Sequence, residues 1–182
     1  MSTLAVTPPE TSEYNPYYGK YVSLIAGGDI LETLTKQVDR MQSLLSRLGK
    51  DEANFSYAPD KWTVKQALGH VIDTERIFSY RALRISRGDK TPLPGFEQND
   101  YVPNGPFEFV TLPELLEEYA AVRRATVLLF RHLRPEAWER RGTASNSEVT
   151  VRALAYIIAG HNEHHYQLLR DKYAIGKSVG TS

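Results

Sequence analysis

The stretch Gly160-His161-Asn162-Glu163-His164-His165-Tyr166-Gln167 holds three of the chain's five histidines. Leu154, Ala155, Ile157 and Ile158 precede it and Leu168 and Leu169 follow, so apolar residues recur around it at helical spacing. On an α-helix, residues four apart stand about 40° from one another around the axis. His161 and His165 therefore share a face and prolong the stripe Val151, Leu154, Ile158. Two neutral imidazoles side by side on a core-facing stripe form half of a metal site. The other half has to come from elsewhere in the chain.

Composition bounds the search. The chain has 182 residues, 41% hydrophobic and 24% charged, which fits one globular domain. Lys plus Arg and Asp plus Glu each number 22, so no global charge draws the protein to nucleic acid. There is no cysteine, which excludes disulfides, thiolate zinc sites and a cysteine nucleophile. No apolar run approaches the roughly 20 residues that span a bilayer, and no membrane partner is expected. Met1 to Glu13 lacks a basic start and an apolar centre, so it does not read as a secretory signal, and the expected location is cytoplasmic.

Four amphipathic helices are predicted. Residues 1–28 form an N-terminal arm whose first dozen residues read as mobile and whose tyrosines, Tyr14, Tyr17, Tyr18 and Tyr21, tie it to the body. The first helix runs from about Asp29 to Leu48, with Ile30, Leu34, Val38, Met41, Leu45 and Leu48 on one side and Gly49 at its end. Thr63-Val64-Lys65-Gln66 is a capping box opening the second helix, which Gly88 stops near Arg87. Thr111-Leu112-Pro113-Glu114 opens the third helix in the same way, with proline in the first turn, and Pro135 closes it. Glu136 to Glu148 reads as a connection around Trp138, and Thr150 caps a fourth helix to about Tyr173. With no convincing strand pattern, the chain reads as an all-α four-helix bundle over residues 29–176, followed by a loose tail, 177–182. The segment from Gly88 to Val110 is long enough to be a crossover, so the order need not be up-down-up-down. Its prolines, glycines and aromatics suggest an ordered loop over the body, with Phe96 and Tyr101 as candidate lining residues.

His70, near the start of the second helix, supplies the missing half. Alone it reads as a core histidine; beside the pair His161 and His165 it completes a three-histidine site. His164, three residues from His161, is the rival partner at the edge of the stripe. His132 fits a cation at a helix C-terminus. Glu75 and Glu163 are candidate acceptors orienting a ligating imidazole, and Asp73 and Thr74 lie one turn from His70. Arg81, Arg84 and Arg87 read as a solvated helix face, though arginines under the long loop could hold an anionic substrate. There is no Gly-x-Ser-x-Gly nucleophile motif and no phosphate-binding glycine loop.

Trp62-Thr63-Val64-Lys65-Gln66, His70-Val71-Ile72-Asp73-Thr74-Glu75-Arg76, Arg87-Gly88-Asp89, Pro94-Gly95-Phe96 and the run His161 to Gln167, in that order and spacing, resemble the DinB-like, or YfiT-like, superfamily. The resemblance covers the chain from the first helix to the fourth. Where that family often has a glutamine three residues after the last histidine, this chain has Leu168, with Gln167 one residue earlier. The resemblance implies a four-helix bundle with crossover topology, often a homodimer. It also implies a divalent metal, nickel or zinc most commonly (iron, manganese or copper otherwise), held at His70, His161 and His165. Family members with known activity include S-transferases using bacillithiol or mycothiol, and others are called metal-dependent hydrolases. The expected function is therefore activation of a low-molecular-weight thiol or a water at a three-histidine centre. The alternative is a non-enzymatic dimeric stress-response or binding protein with a structural metal.

Overall fold

The computed structural model describes residues 6–173 and 175; the expected tail, 177–182, lies outside the described residues, as do residues 1–5 of the arm. Seven helices and one hairpin follow in order: α1 (Gly19–Val22), α2 (Ile30–Leu45), α3 (Lys50–Ala53), α4 (Val64–Ser86), α5 (Gln98–Asn104), α6 (Leu112–Arg131), strands β1 (Arg141–Ala144) and β2 (Ser147–Thr150), then α7 (Val151–Asp171). The four long helices α2, α4, α6 and α7 form the bundle. Among the described residues, no helix is long and apolar enough to cross a membrane.

The helix ends follow from capping chemistry. Asp29 accepts from the backbone N–H groups of Leu31 and Glu32 at the start of α2. Thr63 and Gln66 exchange side-chain and backbone bonds at the start of α4, as Thr111 and Glu114 do at α6. Gly88 takes φ +82° after α4, and the Asp89 N–H returns to the Arg84 carbonyl, closing the left-handed cap that glycine favours. The first helix ends three residues before its expected limit; Gly49 begins the short α3 instead.

Side-chain pairs give the directions. Gln37 reaches the Ala159 carbonyl and Arg40 reaches Glu163, so α2 and α7 run parallel. Lys65 reaches the Val110 carbonyl and Glu75 meets Arg123, so α4 and α6 run parallel as well. Arg123 binds the Leu34 carbonyl while Tyr119 binds that of Gln37, so α6 opposes α2. His70 meets His161, whereas Phe78 and Arg81 lie against Ile157 and Leu154, so α7 opposes α4. The order is up-down-down-up. The 88–110 segment is the crossover that carries the chain back along α4, and α2 and α4, consecutive long helices, sit diagonally.

The core falls into two apolar clusters. One gathers Leu34, Phe78, Phe130 and Leu154; the other gathers Met41, Leu68, Leu115 and Leu169. A polar knot lies with them. Arg123 and Glu75, 1% and 3% exposed, form a bidentate ion pair at 2.8–3.0 Å. Arg123 also donates to the Leu34 carbonyl and Gln37 Oε1, Gln37 donates to the Ala159 carbonyl, and Tyr119 donates to Asn162 Oδ1 at 2.7 Å. All four bundle helices enter this knot. Glu75 thus faces Arg123 and does not orient an imidazole.

Two further expectations change. The 136–148 connection contains the β1–β2 hairpin, closed by Ser145 (φ 50°) and Asn146 (φ 61°), the left-handed pair a two-residue turn requires. Leu93 of the crossover pairs with its edge through the Thr143 carbonyl and the Ser145 N–H. The arm is held early: Glu13 is buried, accepts from Thr150 Oγ1 at 2.7 Å and pairs with Arg152, while Asn15 donates to Ser147.

Breaking the central pair strands a buried charge. Glu75→Leu is expected to cost about 3–5 kcal/mol in urea unfolding, and Glu75→Leu with Arg123→Met to recover a large part of it. Burial raises the Glu13 carboxyl, but hydrogen bonds from Arg152, the Glu10 N–H and Thr150 outweigh it and hold the group below its usual 4.5. Its contribution is therefore present above that value and is lost as pH falls through the lower folded one. Amide exchange at residues 10–22 should accelerate in that acid window, and Glu13→Gln should remove the pH step.

Candidate metal centre

His70 stands on the second turn of α4, and His161 and His165 stand one turn apart on α7. The antiparallel packing of these helices brings the three together. His70 Nε2 and His161 Nε2 are 3.0 Å apart, and one ring nitrogen from each of the three histidines lies within 4.8 Å of the others. All three side chains are buried. Burial, reinforced by the neighbouring His164, pushes His70 down to about 4. Burial first, and the adjacent imidazoles second, hold His161 and His165 well below 6.5. The cluster is therefore neutral at pH 7, with lone pairs available to a cation.

The nitrogens fit a metal. Two imidazole nitrogens on one tetrahedral zinc, each about 2.0–2.1 Å from it, stand about 3.3 Å apart. His165 Nδ1 is the one side-chain polar atom among the described residues that is buried without a hydrogen-bond partner. Such an orphan is costly in a purely structural role, because no protein group replaces the water it gave up. Thr74 Oγ1 lies 3.5 Å from His70 Nδ1, placing a hydroxyl behind that ligand candidate.

The surroundings differ in part from expectation. Glu163 pairs with Arg40, at 2.7 Å, and accepts from Gln167 rather than from an imidazole. His164 is exposed at the rim, its ring edge-on to Tyr21 at 5.4 Å and to His165 at 5.1 Å. His132 is the exposed C-cap of α6, far along the chain from the cluster. Trp62 covers His70, ring centroids 4.8 Å apart, and Tyr21 covers His161 at 5.3 Å. Both covers come from outside α4 and α7, so the periodicity of those helices carries no sign of them. Gly160 held the clue: a Cβ there would overlap the Tyr21 carbonyl, so the glycine lets the arm lie directly on α7.

A cavity of about 420 Å³ opens from the histidines. His70, His161 and Thr74 line its floor, Tyr17, Tyr18 and Tyr21 one wall, and Gly95 to Asn99 of the crossover the other, with Phe78 and Ser145 at the end. Phe96 lines it as expected. Tyr101 does not; it packs on Phe96 at 5.4 Å and faces an outer groove.

An up-down-down-up bundle with three inward histidines from facing helices has the architecture of proteins that hold a metal between helices. The model of the DinB superfamily matches residues 33–169, and the chain belongs to that superfamily. A protein of Oceanobacillus iheyensis, provisionally named a metal-dependent hydrolase, is 23% identical over 155 residues, covering 83% of this chain and 86% of its own. Among solved structures, YfiT from Bacillus subtilis, described as a probable metal-dependent hydrolase with an unusual four-helix bundle topology, superposes with a TM-score of 0.71. Its identity is 13%, over 93% of this chain and 96% of that one. The structural likeness carries the fold.

Because a Cβ at position 160 would overlap the Tyr21 carbonyl, Gly160→Ala should lift Tyr21 from His161. The expected cost is about 1–3 kcal/mol, together with faster proteolysis between Tyr14 and Val22 while α2 to α7 stay protected. Unchanged cleavage of the arm would contradict the close approach.

Proposed function

We propose that His70, His161 and His165 hold one divalent cation, and that the protein is a metal-dependent enzyme of the hydrolase or thiol S-transferase type. Zinc or nickel suits an all-imidazole donor set best. The observation that carries the reading is the unpartnered, buried Nδ1 of His165 within a neutral imidazole triangle that opens onto a cavity. The family and the names of the two relatives point the same way.

A divalent ion at this centre would lower the pKa of a water or thiol brought to it and so supply a nucleophile at neutral pH. The chain's own residues prepare the place. His70 and His161 line the cavity, and His165, buried beside them, does not. Tyr21 and Trp62 shield the imidazoles from bulk water and fix their planes. The aromatic walls, Tyr17, Tyr18, Phe78 and Phe96, suit an organic substrate with apolar surface, and Thr74 leaves a hydroxyl beside His70. A low-molecular-weight thiol is the proposed co-substrate for the transferase form.

Metal analysis of untagged protein is expected to find about one divalent ion per chain, lost in each of His70→Ala, His161→Ala and His165→Ala with the helical circular dichroism retained. Cobalt reconstitution should then give a visible spectrum that shifts when a small thiol is added. Full metal content in any one of the three variants would remove that residue from the centre. A cobalt spectrum indifferent to thiol and to azide would leave a closed, structural metal.

A further inference from the structure

Of the run that reads as a solvated helix face, with the alternative of an anion hold under the long loop, Arg81 is 2% exposed. Its Nη2 donates to the Pro94 carbonyl at 2.7 Å and to Ser145 Oγ at 2.9 Å, and the Tyr18 hydroxyl lies close enough to feel its charge. The guanidinium lies against the rings of Phe78 and Phe96, at 5.2 and 5.9 Å. Among the described residues no carboxylate stands within ion-pair distance of it. Glu148, which shares a small void with it, pairs with Arg141, and Glu97 on the cavity rim caps α5 through Asn99. The contrast with Arg123, equally buried but paired with Glu75, is direct. A buried cation without a counter-ion is expensive, and a fold that keeps one is suited to a ligand that brings the negative charge.

The hydroxyls around Arg81 show where that charge would sit. Ser145 and Tyr18 both line the metal cavity, at the end where Phe78 and Gly95 close it. The Ser145 hydroxyl oxygen accepts from the guanidinium, which can only donate, so its proton is left to be donated elsewhere, and the Tyr18 hydroxyl offers a second donor near the same charge. Two O–H donors polarised by one cation form a receptor for an anion. Ser145 is carried there by the hairpin tip at φ 50°, a backbone conformation that disfavours serine. Arg81 and His70 lie eleven residues apart on α4, about 16 Å along its axis, so the receptor and the histidines occupy opposite ends of one cavity.

We propose that Tyr18, Ser145 and Arg81 form a recognition site for the carboxylate of an elongated substrate whose other end lies at the three histidines. The carboxylate accepts from the Ser145 and Tyr18 hydroxyls, and Arg81 behind them supplies the compensating charge. The assignment of the far end rests on the metal-centre reading; the preference for an anion does not.

The test uses a matched pair of probes, ω-mercaptohexanoate and ω-mercaptohexanol, titrated by calorimetry into the zinc-loaded protein, with hexanoate and hexanol titrated into the metal-free protein. In the wild type each acid should bind on the order of ten- to a hundredfold more tightly than its alcohol. That preference should disappear in Arg81→Gln and shrink in Ser145→Ala, while the affinity for mercaptohexanol stays unchanged in both variants. A merely structural role for Arg81 would weaken acid and alcohol together, and that result overturns the proposal, as does equal binding of acid and alcohol by the wild type. If zinc fails to improve binding of either thiol but Arg81-dependent preference for hexanoate persists, the carboxylate site stands and the metal-centre reading falls.

Discussion

Arg123 enters the bundle interior with a full positive charge and one carboxylate, that of Glu75, to meet it. Four of its donor directions are used: the two oxygens of Glu75, the Leu34 carbonyl and the Gln37 amide oxygen. Such a pair gains little over apolar packing once formed, because desolvation offsets the attraction, but it tolerates no sliding. The acceptors come from fixed positions on two other helices, Leu34 and Gln37 of α2 and Glu75 of α4. Gln37 then passes the constraint to the Ala159 carbonyl on α7. The relative heights of α2, α4, α6 and α7 are set by this chain of bonds, and His161 begins two residues beyond Ala159. A one-turn slip of α7 against α4 would cost the knot and would separate His70 from its partners at the same time.

The imidazole triangle depends on the opposite electrostatic condition. Arg123 is buried with a counter-charge; the three histidines are buried without one, and desolvation keeps them neutral. Neutral imidazoles are what a divalent cation needs, and a carboxylate in direct contact would favour their protonated form. The acids nearby in sequence all meet arginines: Glu163 pairs with Arg40, Glu75 with Arg123, and Asp73 lies 3.8 Å from Arg76. The two glutamate pairs thus hold the bundle and keep negative charge off the histidines.

Periodicity and capping chemistry made the bundle legible. The Thr63 and Thr111 boxes, the Asp29 and Thr150 caps and the Gly88 stop place the helix ends within a few residues of where they lie. His70 does come together with the pair on α7, because α4 and α7 pack against each other in this bundle. What escaped were features whose partners are distant in sequence. Nothing near Arg81 distinguishes it from Arg84 and Arg87; only the crossover and the hairpin tip, arriving from residues 94 and 145, bury it. The hairpin itself has strands of only four residues and a Ser-Asn turn in place of the Asn-Gly that signals such turns. Gly160 reads as a weak helix position until the arm is seen lying on it.

The cavity walls divide from the frame on the same line. The histidines belong to bundle helices and are fixed by bundle packing. Tyr17, Tyr18 and Tyr21 come from the arm, Phe96 to Asn99 from the crossover and Ser145 from the hairpin, all of them connections. These segments are bound to one another, by Asn15 to Ser147, Leu93 to the hairpin edge and Arg81 to both Pro94 and Ser145, more than to the polar knot. Changes in the connections that leave the Tyr21 and Trp62 covers in place can therefore alter what the cavity admits while the histidines stay where the bundle helices hold them. That separation is the physical reason one bundle can carry several chemistries, and why membership of the superfamily sets the fold but not the substrate. In this chain the connections bring two hydroxyls, Tyr18 of the arm and Ser145 of the hairpin, to the space that His70 and His161 also line, with the Arg81 guanidinium of α4 behind Ser145.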